Sequence, residues 1–235
     1  FVAARVVVAA DGLAAGFTRK IPGVRSVRAP RSRIGAGVIL PEAPPAYAPG
    51  VVYMAIAPSG YVGLVRIEDD RLDVAAALDA DLVRQSRGLA AAASRIVRQS
   101  GLPPLDGMDA GKWLGTPPLT RWHEPPGSAR LFLVGDAAEY VEPFTGEGMA
   151  WAMIGGAHIA DFVNKALERA DPAVTDAWHQ HLRALLNRRR RRCRWIAGAL
   201  RHPMMTALGI RLLHAIPQLA GPYVTGLNRC DPAPR

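Results

Sequence analysis

The sequence predicts a mixed α/β fold with three parts: a module of parallel strands and helices, an antiparallel sheet inserted into it, and a helical C-terminal region. Two apolar runs, within Ala4–Leu13 and at Leu131–Val134, lead into an acidic residue paired with glycine, which is typical of buried parallel strands. Between them, short β-branched runs at close spacing indicate an antiparallel sheet. Beyond Val163 the chain has the periodicity and composition of helices.

The bulk composition is that of a globular protein. The chain has 235 residues, 49% of them hydrophobic and 21% charged, which is enough for one large or two small domains. The formal net charge of +9 and the pI of about 10.3 permit attraction to anionic cofactors, membranes or nucleic acids, but say nothing about the fold. Cys193 and Cys230 form neither a metal-binding spacing nor a disulfide framework, so we expect no metal and a reducing, cytoplasmic setting. The sequence shows no signal peptide and no apolar run of transmembrane length.

The N-terminal run Ala4–Leu13 is rich in β-branched residues and contains Asp11-Gly12 near its end. It predicts a parallel strand with a carboxylate at its tip. A plain strand and turn is the alternative interpretation. Ala14–Lys20 then suits a short helix. Because the chain starts almost directly in a strand, we expect it to be part of a longer protein.

The segment from Pro22 to Arg121 has a different character. Short strand-like runs alternate with turn residues such as Pro58-Ser59, which predicts a β-meander. An Ala-rich helix and a returning extended segment follow. In order, the predicted elements are strand material within Val27–Leu40, broken at Pro30 and Gly35; strands Val51–Ala57, Gly60–Ile67 and Arg71–Val74, with Ala75–Leu78 leading out; helix Leu82–Gln99; and the extended segment Lys112–Trp122.

The stretch from Arg130 to Met153 predicts a ligand-binding device. Strand Leu131–Val134 ends at Gly135-Asp136, and Gly146-Glu147-Gly148 opens a helix from Met149 to about Val163. Ligands in α/β sheets bind beyond the carboxyl ends of strands, and a helix N-terminus offers free N–H groups and partial positive charge. Glycines let the backbone approach a ligand closely, and the carboxylate can accept hydrogen bonds from hydroxyls. An ordinary crossover with a capping aspartate is the simpler alternative.

Gly135–Ala138 and Pro143–Gly148 resemble the second FAD-binding motif of the flavin-dependent hydroxylase, geranylgeranyl reductase and halogenase superfamily. The resemblance implies an FAD-binding Rossmann-like module, truncated at its N-terminus. It also implies that Asp136 bonds the ribityl chain and that Gly146–Met149 faces the pyrophosphate and the pyrimidine edge of the flavin. The implied cofactor-binding set is Asp11, Gly12, Gly135, Asp136, Ala137, Pro143, Thr145, Gly146, Glu147, Gly148 and Met149.

Further roles follow from the same resemblance. Asp11 and Gly12 would lie near the pyrophosphate, in a motif also implicated in NAD(P)H use, and Pro143 and Phe144 would border the reactive face. Residues 1–21 and 122–170 would be the remaining part of the FAD-binding domain, 22–121 the substrate-binding sheet domain, and 171–235 the C-terminal helical region. The sequence lacks the Gly-x-Gly-x-x-Gly fingerprint that holds the ADP half of FAD, which we expect to precede Phe1. A complete but degenerate chain is the alternative.

The catalytic chemistry would be that of the flavin itself, because no Ser/His/Asp or Cys/His constellation is identifiable. Trp113 and Trp122 do not form the Trp-x-Trp-x-Ile-Pro motif of the halogenase branch, which argues against halogenation. His123 follows Trp122 in a Pro-rich segment, and we expect a surface histidine rather than a general base.

Two basic or apolar segments mark the C-terminal region. The run Arg188–Arg194 predicts a solvated helix or contact with an anionic membrane. Because it circles the helix, some of its arginines must point at protein or pair with acids. No nucleic-acid motif accompanies it, so we expect no nucleic acid. After Pro203, apolar residues at near-helical period, Met205, Leu208, Leu212 and Ile216, predict an amphipathic helix ending at Pro217. We expect this helix to pack in the core, with a partner or a membrane surface as alternatives.

Taken together, these patterns predict an FAD-dependent oxidoreductase that acts on a small hydrophobic or aromatic substrate. The family branches it resembles are the geranylgeranyl reductases and the hydroxylases or monooxygenases, with NAD(P)H or another reductant as electron donor. One alternative is a non-catalytic, truncated flavoprotein remnant. Another is a membrane-surface binding module, peripheral at the inner face of the membrane, that uses the basic helix.

Overall fold

Two short parallel strands form the centre of the region that contains both acidic–glycine pairs. In the computed structural model, β1 (Val7–Ala9) pairs with β9 (Leu131–Leu133) in parallel, with Val7 opposite Leu131 and Ala9 opposite Leu133. The structure describes residues 3–125, 127–128, 130–142, 144–169 and 171–227. Strand β9 is fully buried, as its apolar sequence predicts, and the parallel pairing confirms that both runs belong to one sheet.

A second, three-stranded antiparallel sheet lies in the same region. Its central strand β8 (Arg121–Glu124) pairs with β2 (Arg25–Arg28) on one side and with β10 (Glu139–Tyr140) on the other. Strand β8 buries Arg121 and His123 while Trp122 is only partly buried, the alternation expected of a half-covered strand. The sequence predicts that the extended segment ends at Trp122, with His123 in a Pro-rich loop, but the strand continues through His123 to Glu124.

The predicted β-meander is confirmed as part of a five-stranded antiparallel sheet of order β4-β5-β6-β3-β7. Its strands are β3 (Ile34–Leu40), β4 (Val52–Ala57), β5 (Gly60–Arg66), β6 (Leu72–Leu78) and β7 (Leu114–Pro118). Two predictions within it are wrong. Ala75–Leu78 does not lead out of the sheet but completes β6, and Gly35 does not interrupt β3, because a register shift against β7 accommodates it.

Helices cover this sheet with an apolar face. The predicted helix Leu82–Gln99 is divided into α1 (Ala80–Gln85) and α2 (Leu89–Gln99), because Arg87 and Gly88 adopt positive φ between them. Alanines 92 and 93, Ile96 and Val97 of α2 are buried in one core with the apolar side chains of β3 to β6. Small alanines on the helix allow it to lie close to the sheet.

The C-terminal part is helical, as predicted. The helices are α3 (Gly148–His158), α4 (Ala160–Glu168), α5 (Pro172–Ala199), α6 (Pro203–Ala215) and α7 (Gly221–Leu227). The helix predicted from Met149 to Val163 is in fact two helices that meet at Ile159. Trp178, Leu182 and Leu186 of α5 are buried in a second core with strand β9 and helices α3 and α4. No helix among the described residues combines the length and apolar character needed to cross a membrane.

Helix α6 contradicts the expectation that it packs in the core. None of its residues is buried, and Met204 is 86% exposed and Leu208 69% exposed. Apolar residues lie on several sides of the helix rather than on one stripe, so the prediction of a clean amphipathic helix is also wrong. Helix α6 therefore presents an apolar surface that is part of neither hydrophobic core.

The chain divides into two compact units. The first comprises Phe1–Ala29, Thr120–Ile196 and Gly209–Arg235; the second comprises Pro30–Leu119 and Ala197–Leu208. Strand β2 lies within the predicted sheet domain of residues 22–121, but it pairs with β8 and belongs to the first unit. The second unit begins only at Pro30. The helical region after residue 170 is not separate, since most of α5 packs within the first unit.

Candidate functional site

The acidic–glycine pairs lie at the same edge of the parallel sheet. Because Ala9 is opposite Leu133, Asp11 and Gly135 each follow their strand end by two residues on neighbouring strands. A backbone hydrogen bond from Val134 N to the Ala9 carbonyl, at 3.0 Å, continues the pairing toward this edge. The carboxyl ends of parallel strands are where ligands bind in α/β folds. The candidate site is therefore built on this edge.

Asp11 organises the turn that follows β1. Its carboxylate accepts hydrogen bonds from the backbone N–H of Phe17 at 2.8 Å and of Thr18 at 3.2 Å, and from the Thr18 hydroxyl at 3.0 Å. Burial alone would raise the pKa of Asp11, but these hydrogen bonds outweigh it and hold the pKa below its ordinary value. The predicted helix Ala14–Lys20 is thereby reduced to a turn ending in a 3₁₀ segment, Thr18–Lys20. Asp11 is thus already engaged in holding the chain, with Gly12 beside it.

Asp136 differs from Asp11 because its carboxylate accepts no hydrogen bond within the described parts of the chain. It lies half-buried in a 3₁₀ turn, Gly135–Ala137, directly after β9. Burial raises the pKa of the Asp136 carboxyl, and burial followed by the nearby Asp136 charge raises the pKa of Tyr140 to about 12. A half-buried carboxylate with unused acceptor capacity suits a ligand that brings hydroxyl groups.

Gly135 brings the strand end against helix α3. Its φ is +56°, and a Cβ there would lie 3.2 Å from the Cβ of Ala152. A side chain at position 135 would push the two elements apart and would also strain the backbone. The Gly-Asp-Ala-Ala sequence thus sets how closely Asp136 approaches the start of α3, while Ala137 is fully buried beneath it.

The start of α3 is open. No heavy atom lies within 4 Å of the Cβ positions of Gly12, Gly146 or Gly148, and Gly146 has a φ of +70°. No side chain caps the helix, and the first hydrogen bond of the helix runs from Trp151 N to the Glu147 carbonyl. The amides at the N-terminus are therefore available to an anion or a polarised oxygen. Met149 is 80% exposed beside them.

Two predicted binding residues direct their side chains elsewhere. The Thr145 hydroxyl lies 3.4 Å from the Cys193 sulfur. The Glu147 side chain is 4% exposed and lies 3.7 Å from guanidinium nitrogens of both Arg189 and Arg192. These side chains contact α5, so only their backbone remains for a ligand. The predicted Pro143 lies outside the described residues, as does Cys230; Phe144 is half-buried in the turn.

Arg121 and His123 of β8 are residues that sequence reasoning missed. Arg121 is 5% exposed, and its Nε and Nη2 atoms make no hydrogen bond among the described residues. Burial lowers the pKa of Arg121, and the charge of Arg19 lowers it further while Asp11 opposes the shift. A buried guanidinium whose Nε and Nη2 find no hydrogen-bond acceptor in the described part of the chain suits an anion.

His123 is 1% exposed, so the expectation of a surface histidine is wrong. Burial lowers the pKa of His123, and the neighbouring Arg121 charge adds to the lowering. The sequence contains one indication of this burial, the alternation of Arg121, Trp122 and His123 that is typical of a strand. The prolines near this segment favour a loop instead. The buried cation and imidazole are both on the inward face of β8.

Comparison with known proteins establishes the fold class of the chain. No protein-family model matches the sequence. The solved structure of a geranylgeranyl bacteriochlorophyll reductase-like protein from Thermoplasma acidophilum superposes with a TM-score of 0.65, at 22% identity over 87% of this chain and 52% of that one. A probable FAD-dependent monooxygenase from Pseudomonas aeruginosa gives 0.57, at 21% identity over 86% and 58%.

A third similar structure is a myxobacterial chondrochloren halogenase, an FAD-dependent halogenase, with a TM-score of 0.59 at 16% identity over 77% of this chain and 44% of that one. The chain therefore shares the fold of these solved structures, which the resemblance of its motifs predicted. It spans about half the length of the solved structures that it matches.

Proposed function

We propose that the chain binds FAD at the edge formed by β1, β9 and the start of α3, as part of an FAD-dependent oxidoreductase. The observation that supports this most strongly is Asp136, a half-buried carboxylate that accepts no hydrogen bond from the described residues and lies near an uncapped helix start. The residues fit the cofactor chemically, because ribityl hydroxyls are donors and the pyrophosphate and pyrimidine edge are acceptors.

In this proposal Asp136 accepts hydrogen bonds from the ribityl chain. The free amides at Gly148 and Met149 stabilise negative charge on the pyrimidine edge of the reduced ring system, where the partial positive charge of the helix also acts. Arg121 offers a buried positive charge to a phosphate near Asp11 and Gly12. FAD, when bound, supplies the redox chemistry, by hydride transfer to an unsaturated substrate or by reaction with dioxygen that leads to hydroxylation.

We further propose a small hydrophobic or aromatic substrate, with the five-stranded sheet as the element that binds it. The support is that the solved relatives in fold include a reductase-like protein and a probable monooxygenase. NAD(P)H is the proposed electron donor, and anaerobic mixing with NADPH, followed by loss of the flavin absorbance, tests it. Activity of this chain by itself distinguishes an enzyme from a non-catalytic flavoprotein remnant.

Replacement of Asp136 by asparagine tests the binding role. The variant keeps the volume of the side chain but removes its charge, so we expect FAD affinity to fall about tenfold while the fold remains intact. Asp176→Asn, an exposed acid on α5, is the matched control and should bind FAD like the unmodified chain. Quenching of flavin fluorescence gives both dissociation constants. Equal affinity in the two variants would contradict a role for Asp136.

A second candidate function is contact with an anionic membrane surface. Large apolar side chains of α6 and the segment after it are exposed: Met204, Met205, Leu208, Ile210, Leu212, Leu213, Ile216, Leu219 and Val224. From residue 177 to residue 230 the sequence contains arginines but no aspartate or glutamate. Exposed apolar residues together with the exposed Arg188, Arg191 and Arg211 match the chemistry of an anionic bilayer interface.

Vesicle binding tests this candidate. We expect the chain to sediment with phosphatidylglycerol-containing vesicles at low salt, and to be released by high salt because the attraction is partly electrostatic. Leu208→Glu with Leu212→Glu should lower binding about tenfold or more, since both side chains would leave the apolar phase. Leu114→Glu, at a 67% exposed leucine of β7, is the matched control. Equal binding to neutral and anionic vesicles, or no effect of the α6 changes, would reject this candidate.

A further inference from the structure

The arginines of the run Arg188–Arg194 point to different sides of helix α5. They form two sets with different surroundings. Arg190 is 4% exposed and Arg189 is half-buried, whereas Arg188 and Arg191 are exposed and make no ion pair among the described residues. Residues one turn apart share a face of the helix. Arg189 and Arg192 form one such pair of neighbours, and Arg190 and Arg194 form another. The run is therefore not a uniformly solvated surface.

One pair holds the strand that precedes the candidate flavin turn. Arg190 donates from Nη1 to a carboxylate oxygen of Glu139 at 2.8 Å, and Arg194 lies 3.5 Å from the other oxygen of the same carboxylate. Glu139 is the first residue of β10, three residues after Asp136. Burial lowers the pKa of Arg190, and the Glu139 charge opposes that shift. The contact is therefore a partly buried ion pair whose rupture would leave a buried cation.

The other pair holds the end of the same loop, immediately before α3. Arg189 and Arg192 both lie 3.7 Å from the Glu147 carboxylate, whose two oxygens are buried. The guanidinium of Arg192 also stacks over Tyr223 of α7, 4.6 Å from the ring centroid. Glu147 directly precedes Gly148, so its position fixes where the free amides of α3 lie.

Between the two acids, Cys193 contacts the middle of the loop. Its thiol donates to the Glu142 carbonyl at 3.1 Å and lies 3.4 Å from the Thr145 hydroxyl. Burial raises the pKa of the Cys193 thiol, which favours the neutral donor. Loop 139–147 is thus attached at its start, middle and end to residues 189–194 of one helix.

We propose that Arg189, Arg190, Arg192 and Arg194 form an arginine clamp that positions loop 139–147, and through it Asp136 and the free amides of α3. These are positioning residues, and the effect on flavin rests on the function proposed above. The clamp gives most of the arginine run an intramolecular role on this loop. Arg188 and Arg191, on the other side of α5, remain for solvent or for an anionic surface.

The test compares the two sets of arginines in the ligand-free chain and with FAD. Arg190→Gln and Arg192→Gln should speed amide hydrogen exchange in residues 139–150 about tenfold, and should weaken FAD binding about tenfold or more, because the loop loses an anchor. Arg188→Gln and Arg191→Gln should change neither quantity. Exchange in β9 reports whether each variant is still folded.

A charge swap distinguishes positioning from general destabilisation. Glu139→Arg combined with Arg190→Glu should recover part of the FAD affinity that either single change loses, which a loss of packing alone would not do. If Arg190→Gln fails to fold, Arg192→Gln alone is compared with Arg188→Gln and Arg191→Gln. The Arg192 side chain is 37% exposed, so its loss disturbs the fold less.

Equal exchange and equal affinity in the two sets would overturn the clamp and leave the flavin site standing. If the unmodified chain binds no FAD, the proposed flavin function fails, while the exchange difference in the ligand-free chain still decides whether the arginines position the loop. The two failures are therefore separable.

Discussion

The acidic side chains of the candidate site differ in whether other parts of the protein already engage their carboxylates. Asp11 and Asp136 are both aspartates at the same edge of the parallel sheet. The Asp11 carboxylate accepts three hydrogen bonds from its own turn, whereas that of Asp136 accepts none among the described residues. Glu147 and Thr145 likewise contact α5. Only the positions of partners in three dimensions separate these roles.

His179 gives a prediction at the residue scale. The side chain is 6% exposed, and burial, with a smaller contribution from Arg183, lowers its pKa to about 4. The unfolded chain has the ordinary value of about 6.5. Between pH 6.5 and pH 4 the unfolded chain therefore binds a proton that the folded chain does not. Above pH 6.5 the ionisation of His179 does not change the free energy of unfolding. As the pH drops it lowers the free energy of unfolding, by about 3 kcal/mol at pH 4.

Urea unfolding at pH 7 and at pH 4 measures this effect. His179→Gln should lose less stability over that interval than the unmodified chain, whatever its stability at pH 7, while His202→Gln at an exposed position should not alter the pH dependence. An unchanged pH dependence in His179→Gln would show that the buried imidazole is protonated as easily as a free one.

At the scale of elements, α3 and α5 act on the site from two directions. Helix α3 offers an uncapped N-terminus with open glycines, and α5 holds the loop that leads into it. The sequence motif identified the first of these because glycines and a strand end have a recognisable spacing. It did not identify the partners of the arginine run, since the acids that meet it are more than forty residues away along the chain.

Tryptophan substitutions along α3 test whether its N-terminus is the binding element. A Cβ added at Gly148 or at Gly156 would meet no atom within 4 Å outside its own helical turn and chain neighbours, so we expect both variants to fold. Gly148→Trp fills the space in front of the free amides and should weaken FAD binding by more than about tenfold. Gly156→Trp, two turns further along the helix, should leave it unchanged. Equal effects would place the ligand elsewhere.

At the scale of the whole molecule, the sequence predicted the broad order of elements well and their boundaries less well. The parallel pair, the meander and the C-terminal helices follow from local patterns. The predicted extended segment Lys112–Trp122 contains β7 and the first half of β8, but the prolines near His123 concealed that the strand continues to Glu124. The break at Arg87-Gly88 depends on backbone angles that the Ala-rich pattern conceals.

The sequence pattern also did not predict that helix α6 is exposed. Met205, Leu208 and Leu212 recur near the helical period, which ordinarily indicates a buried face, but other apolar residues lie on other sides of α6 and none of its described residues is buried. Periodicity reports which residues share a helix face and is silent on whether anything covers that face. The pairing of β2 with β8, which assigns residues 25–28 to the first unit, is likewise a long-range contact without a local signal.

The central claim is that this chain binds FAD at the edge that carries Asp136. Titration of FAD with the unmodified chain, followed by flavin fluorescence, tests it most directly, with riboflavin as a competitor that carries the ribityl and ring portions alone. We expect saturable binding at one FAD per chain that riboflavin displaces, because Asp136 and the start of α3 are proposed to contact the ribityl and ring half of the cofactor. Fluorescence that stays unchanged when folded chain is added, or binding that riboflavin does not affect, would contradict it.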